Sequence, residues 1–194
     1  GTIVERLSKK ESLEKIRGTA VFLGGKASKE FAAGNDYVQL PSFEKMQADR
    51  DAIMKETLIV EREINPYCGK GLTQLYGDRM LVIEAPAEPL SIKEMDKVYA
   101  LEFSRRPHPS YKEKIPAFEA VKDSICAVRG CPGGCTFCGL VSHQGKIVSS
   151  RSPESILKEI SALAASKDFK GIISDIGGAA GNIYASGPRD PAKC

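Results

Sequence analysis

An α/β fold is the class this sequence predicts, and three observations predict it. Helix-start signatures recur along the chain, at Thr2-Ile3-Val4-Glu5, Pro41-Ser42, Ser91-Ile92-Lys93-Glu94 and Ser152-Pro153-Glu154. Between them lie short apolar runs bounded by Gly, Pro and Asn, at residues 19–23, 37–40 and 80–84. After Val121 the order strand, helix, strand describes a βαβ unit and therefore a parallel sheet. With 194 residues, of which 42% are apolar, the chain can bury one sizeable core or two small ones.

Each element has its own justification. Thr2 and Glu5 stand at capping-box spacing, Ile3, Val4, Leu7, Leu13 and Ile16 form an apolar stripe, and Gly18 supplies a stop. A helix over about residues 2–17 is expected. Residues 19–23 read as a strand ended by Gly24-Gly25, and 26–35 as a polar loop. Gly24-Gly25-Lys26 lacks the earlier glycine and the following Ser or Thr of a phosphate loop, so it reads as a turn. Residues 37–40 read as a strand. One long helix then opens at Pro41-Ser42, with Phe43, Met46, Ile53, Met54 and Leu58 as its core stripe and Asn65-Pro66 as its end.

Residues 80–84 read as an apolar strand and 85–89 as irregular chain. A short helix from Ser91 to about Tyr99 follows. Arg105, Arg106, Pro107, His108, Pro109 and Tyr111 read as a rigid extended linker, the alternative being a substrate- or RNA-facing strip. Residues 121–128 read as a strand. Ser152 caps the next helix, Pro153 sits at its first position and Glu154 favours its positive end. Ile156, Leu157, Ile160, Leu163 and Ala164 give that helix one apolar face. Residues 171–176 read as a buried parallel strand ended by Gly177-Gly178.

Charge excludes some classes. Twenty-eight basic against 25 acidic residues leave a net charge of +3, which offers no field for nucleic acid or a membrane surface. No apolar run approaches the roughly 18–20 residues of a membrane span. Six cysteines with no secretory segment at the start point to a reducing, cytoplasmic setting and to metal or redox use.

The chemistry concentrates in Cys131-Pro132-Gly133-Gly134-Cys135-Thr136-Phe137-Cys138. Thiolates on a short glycine-rich loop are the usual ligands of an iron–sulfur cluster. Three cysteines leave one iron of a [4Fe–4S] cluster without a protein ligand, and such a corner can bind a substrate or cofactor, as an open zinc position does. A structural zinc site is the rival reading, but it wants four ligands, and only His143 is near enough to be the fourth. Cys126 lies outside the three-cysteine spacing and reads as strand packing. Cys68 reads as a half-buried thiol beside a turn.

The stretch resembles the C-x-x-x-C-x-Φ-C signature of radical S-adenosylmethionine (radical SAM) enzymes, with Phe137 at the aromatic position. Arg129-Gly130, Ser142-His143-Gln144-Gly145-Lys146-Ile147, Ser150-Arg151-Ser152-Pro153-Glu154 and Ile173-Ser174-Asp175-Ile176-Gly177-Gly178 resemble the YgiQ-type radical SAM proteins, a family with no settled substrate. So do Leu40-Pro41-Ser42-Phe43-Glu44, Asn65-Pro66-Tyr67-Cys68 and Arg106-Pro107-His108-Pro109-Ser110-Tyr111 upstream. The resemblance implies that residues 1–114 are the C-terminal part of an N-terminal α/β domain with its linker. Residues 115–194 would begin a radical SAM β/α barrel, a partial one in a chain that is a piece of a longer protein.

It further implies a [4Fe–4S] cluster on Cys131, Cys135 and Cys138, and reductive cleavage of S-adenosylmethionine to a 5′-deoxyadenosyl radical. Phe137 would pack on the adenine. The Gly177-Gly178 carbonyls would receive the methionyl amine, with Asp175 in support, because Ala179 stands where many radical SAM enzymes have an acid. Arg151 would pair with the methionyl carboxylate, or else form a salt bridge at the start of its helix. An electron donor such as flavodoxin or ferredoxin is implied, and the substrate is not. The competing classes are an iron–sulfur redox or sensing module, and a structural piece without catalysis.

Overall fold

The computed structural model describes residues 1–32 and 36–187. They pack as two units, Gly1–Glu88 and the described residues 89–187. The expected boundary at 114/115 falls inside the second unit.

In the first unit, α1 (Thr2–Ser8) has Gly1 as its N-cap and no side-chain cap, so Thr2 is already inside the helix. The helix ends at Lys9 instead of running to residue 17. Arg6 bonds back to the carbonyls of Ser12 and Glu14, and the Ser12 hydroxyl accepts from the Glu14 N–H, a local turn that competes with helix. Next come β1 (Ala20–Leu23) and α2 (Gly25–Ala32). The second of these replaces the expected loop: a Lys26–Glu30 pair one turn apart supports it, and Ser28 on its inner side is buried, its hydroxyl donating to the Gly25 carbonyl. The rest of that expected loop, residues 33–35, lies outside the described residues.

After β2 (Val38–Gln39), the predicted single long helix is two: α3 (Phe43–Ala48) and α4 (Arg50–Glu63). Ser42 caps the first as expected, its hydroxyl accepting from the Lys45 N–H. Asp49 breaks the pair, because its extended backbone (φ −139°) and its carboxylate, which accepts from the Asp51 N–H, make it a new N-cap. The break rotates the inward face. Ala52 is buried, while Ile53, Met54 and Leu58 are 45%, 61% and 64% exposed, so the expected core stripe is not core. The inward side is instead Ala52, Glu56, Ile59 and Glu63, at helical spacing.

The unit's sheet runs β1-β4-β3-β2, adding β3 (Leu72–Tyr76) and β4 (Arg79–Ile83). The hairpin β3–β4 turns at Gly77-Asp78 and is antiparallel, as is β1 on β4; β2 joins β3 parallel. Leu40, Leu72, Met80 and Val82 fill its core. Gln74 is buried among them and donates to the Pro41 carbonyl and to Glu56.

In the second unit, α5 (Ile92–Tyr99) carries the predicted capping box in full: the Ser91 hydroxyl accepts from the Glu94 N–H, and Glu94 reaches back to the Ser91 N–H. Then α6 (Pro116–Val121), whose first turn Pro116 presets, takes Val121, the residue expected to start a strand. The strand itself is the shorter β5 (Ser124–Cys126), followed at once by β6 (Val128–Arg129). After α7 (Leu140–Gln144), β7 (Ser149–Ser150) pairs antiparallel with β6. The crossover helix α8 (Pro153–Ala164) is capped by Ser152 as predicted, and β8 (Asp175–Gly177) then pairs parallel with β5.

Ile125 and Ala127 pack on Ile156 and Leu163, with Ile160, Phe169 and Ile173 at the margin. This is the expected βαβ core. The last strand is shorter than predicted and not buried, however. Ile172 and Ile176 are 74% and 48% exposed, because among the described residues β8 has a strand partner on β5 alone.

Candidate functional site

The three predicted cysteine ligands sit in the loop that joins β6 to β7. Its neck is stitched on both sides. The Gly130 N–H donates to the Gln144 side chain (3.1 Å) and the Cys131 N–H to the Gly145 carbonyl (3.0 Å). Gly130 has φ +92°, and a Cβ there would lie 2.2 Å from the Ile147 carbonyl oxygen, so only glycine lets the two sides approach this closely.

Beyond the neck the loop opens to solvent. Cys131 is half-buried, whereas Cys135 and Cys138 are exposed, and all three are free thiols. Gly133 lies between the first two sulfurs: a Cβ on it would be 3.3 Å from Cys131 Sγ and 3.8 Å from Cys135 Sγ. A turn with the Cys138 N–H donating to the Cys135 carbonyl places the third thiol (3.2 Å). Phe137, between the second and third cysteines, is 91% exposed.

Among the described residues, no three His, Cys, Asp or Glu side chains converge as a single metal ion would require. A cluster makes a different demand, since each thiolate takes its own iron on a body several ångströms across. Three free thiols on a solvent-open loop, with no side chain at Gly133 to fill the space between two of them, match that donor chemistry. His143, the fourth zinc ligand that sequence proximity suggested, is exposed on the last turn of α7.

The end of β8 is brought to the root of this loop. A Cβ on Gly178 would meet the Val128 carbonyl oxygen at 2.6 Å and its Cγ1 at 2.7 Å, so the glycine allows the strand end to abut β6. The Gly177 carbonyl accepts the Ala127 N–H (2.8 Å), and the Gly178 carbonyl accepts the Gly181 N–H (3.3 Å). Each carbonyl retains a second lone pair. Asp175 is exposed, and its carboxylate turns toward Gly177, 3.6 Å from where a Cβ would stand.

Arg151 has a different setting from the one the resemblance implied. It is only 2% exposed, and its guanidinium is spent inside the fold. It donates to the Cys126 carbonyl (3.0 Å), the Ser155 carbonyl (2.9 Å) and hydroxyl, and the Glu159 carboxylate, and it stacks over the Tyr99 ring (4.3 Å). The salt bridge to its own helix is the alternative the structure adopts. Burial raises the Tyr99 phenol, with a hydrogen bond to the Cys126 thiol adding to it and Arg129 opposing. Burial would also raise Asp96, but hydrogen bonds from Ser152 and Ser155 and the Arg151 charge outweigh it and hold this carboxylate below its usual range.

Cys126 is half-buried with Sγ toward the Val128 carbonyl, and Cys68 is exposed. A cleft of about 1080 Å³ opens elsewhere in the unit, beside Phe103, His108, Tyr111, Phe118 and Lys158, and none of the three loop thiols lines it. Sequence reasoning missed Gln144 and Glu159. A glutamine quoted only as part of the family resemblance and a glutamate on a helix face carry no local signal of their roles.

The family model described as Radical SAM N-terminal matches residues 2–124. The chain belongs to that family. It is a YgiQ-type member of it by its relatives. A UPF0313 protein of Geobacter sulfurreducens is 45% identical over 174 residues, covering 90% of this chain and 28% of that protein. The UPF0313 protein YgiQ of Escherichia coli (strain K12) is 44% identical over 163 residues, 81% of this chain and 22% of its own length. A UPF0313 protein of Methanocella arvoryzae is 45% identical over 153 residues, 79% of this chain and 26% of its own. The chain thus spans about a quarter of the length of these curated relatives. No solved structure matches it. No helix among the described residues is long and apolar enough to cross a membrane.

Proposed function

We propose that this chain contributes the cluster loop and part of the cofactor site of a radical SAM enzyme. One observation carries the reading: three free thiols stand on a solvent-open loop whose neck is pinned by hydrogen bonds, with a 91% exposed phenylalanine between two of them. Exposing a large aromatic ring is costly unless something covers it.

Cys131, Cys135 and Cys138 would hold a [4Fe–4S] cluster as thiolates. When bound, that group supplies one electron and an open iron corner for S-adenosylmethionine, whose reductive cleavage yields a 5′-deoxyadenosyl radical. The chain's own part is binding and orientation. Phe137 offers a face for the adenine. Asp175 gives the methionyl amine an anionic partner beside the carbonyls of Gly177 and Gly178. Arg151, held inside the fold, supports the site from behind and leaves the methionyl carboxylate to other groups. The substrate is one that gives up a hydrogen atom, and a small electron-transfer protein such as flavodoxin or ferredoxin supplies the electron in a reducing, cytoplasmic setting.

The test is iron and sulfide content after anaerobic reconstitution, followed by 5′-deoxyadenosine release under a low-potential reductant. Loss of both in Cys135→Ala supports the ligand set. Product from Cys135→Ala would refute it, and a reconstituted wild type that holds iron yet never cleaves S-adenosylmethionine would leave an iron–sulfur redox module.

A further inference from the structure

Among the described residues, the largest fully buried side chain is a cation. Arg151 sits directly after β7, at the point where the strand leaving the cysteine loop returns to the sheet. Its counter-ion is Glu159, one carboxylate shared with a second guanidinium: one oxygen accepts from Arg151 and the other from Arg105. The Arg151 and Glu159 side chains are 1% and 11% exposed, so that arm of the bridge is nearly dry, whereas Arg105 is 23% exposed where it lines the cleft. A buried ion pair persists only when its remaining donors are also satisfied, and here they are. The acceptors that satisfy them reveal a purpose.

Strand β5 pairs with β8 along one edge, through the Asp123 carbonyl and the Ala127 N–H. Alternation along a strand turns the carbonyls of Ser124 and Cys126 to the other edge. Those two carbonyls are the ones the arginines take: Arg105 bonds Ser124 (3.2 Å) and Lys122 (3.1 Å), and Arg151 bonds Cys126 (3.0 Å). The Arg151 backbone N–H adds a bond to the Ala127 carbonyl (3.0 Å). Arg105 holds φ at +51°, a conformation that a non-glycine residue keeps only when its surroundings over-determine it.

We infer that Glu159 is a positioning residue for the cysteine loop, acting through Arg151 and Arg105, which it clamps along the free edge of β5. The clamp fixes where β5 hands over to β6 and where β7 returns, and these are the two roots of the loop that carries Cys131, Cys135 and Cys138. The inference rests on the reading of those cysteines as cluster ligands for its consequence, but not for its geometry.

The test uses the full chain carrying Glu159→Gln, which keeps the shape and removes the charge. Hydrogen exchange is read first, without a cluster. The amides of Ala127, Gly130, Cys131 and Arg151 exchange about tenfold or more faster in the variant, while those of the β3–β4 hairpin do not change. After reconstitution, the electron paramagnetic resonance line of the reduced cluster broadens or shifts relative to wild type, a change that a lower melting temperature alone does not produce. Arg105→Met, which removes the outer arm only, gives a smaller acceleration at the same four amides and serves if Glu159→Gln fails to fold. Wild-type exchange at the loop roots in either variant that folds overturns the inference. So does acceleration spread evenly over the second unit, which marks a merely structural ion pair. A wild type that takes up no iron overturns the ligand reading instead, and leaves the exchange result standing.

Discussion

Replacing Gly130 by alanine tests how tightly the neck of the cysteine loop is drawn. Two costs add. A Cβ at φ +92° places the residue in left-handed territory, worth about 1–2 kcal/mol for an L side chain. The same Cβ would stand 2.2 Å from the Ile147 carbonyl oxygen, 2.9 Å from its carbon and 3.1 Å from Val148 Cα, all backbone atoms without a rotamer to escape into. Forcing them apart costs about 1–3 kcal/mol more, as other over-packed sites do. A total of roughly 2–5 kcal/mol lowers the melting temperature of the second unit by about 8–40 °C. Thermal denaturation followed by circular dichroism reads it directly. Gly134→Ala is the control. That glycine lies in the same loop, has no heavy atom within 4 Å of its virtual Cβ, and should change stability by less than about 0.5 kcal/mol. If the two alanine variants melt together, the neck is not close-packed and the account of a pinned root with an open tip fails.

Three further outcomes follow. Gly178→Ala drives a Cβ to 2.6 Å from the Val128 carbonyl oxygen, so the end of β8 should separate from β6; a wild-type melting temperature together with unchanged exchange at Ala127 would contradict that contact. Phe137→Ala, at a side chain 91% exposed, should leave stability within about 0.5 kcal/mol and iron content unchanged. The same variant should weaken S-adenosylmethionine binding by about threefold to tenfold, the range of a lost aromatic stacking contact, as measured by calorimetry on the reconstituted protein. The Tyr37 phenol donates to Glu84 at 2.7 Å; burial, then this bond and the Glu84 charge, push it from 10.0 up to about 12. The folded state therefore keeps its proton to higher pH than the unfolded state. The stabilisation is complete below pH 10 and is lost as pH climbs to about 12, amounting to about 1 kcal/mol once screening at this half-buried pair is allowed for. Tyr37→Phe should flatten that alkaline limb, and a limb of unchanged slope would assign the effect to other groups.

Local signals were the legible ones. Ser42, Ser91 and Ser152 announced helix starts because a capping hydroxyl reaches only to the third residue beyond it, and all three caps form. The cysteine loop was legible for the same reason, its ligand spacing being written in eight consecutive residues. Of the hairpin β3–β4 only the second strand was legible, as an apolar run after Gly77-Asp78, because Thr73 and Gln74 disguise a first strand whose polar side chains are buried.

Faces and partners were not legible. Ile53, Met54 and Leu58 recur at helical spacing, yet the cap at Asp49 turns them outward. Residues 171–176 are apolar enough for a buried strand, yet a strand is buried only if something lies on both sides of it. Arg151 stands close to the motif in sequence, but that proximity does not encode its burial. Its partners are Cys126, Ser155 and Glu159, the first of them 25 residues upstream, and that distance hides the burial.

By itself, then, the sequence determined the helix caps, the βαβ order and the three-thiol loop, since each depends on atoms only a few residues apart along the chain. Only the tertiary structure decided that a buried arginine locks the edge of β5, that glycines at 130 and 178 draw the loop roots together, and that Phe137 stands in solvent. Those outcomes depend on which distant segments meet, and contact across the fold is set by the summed packing of all of them rather than by any short pattern.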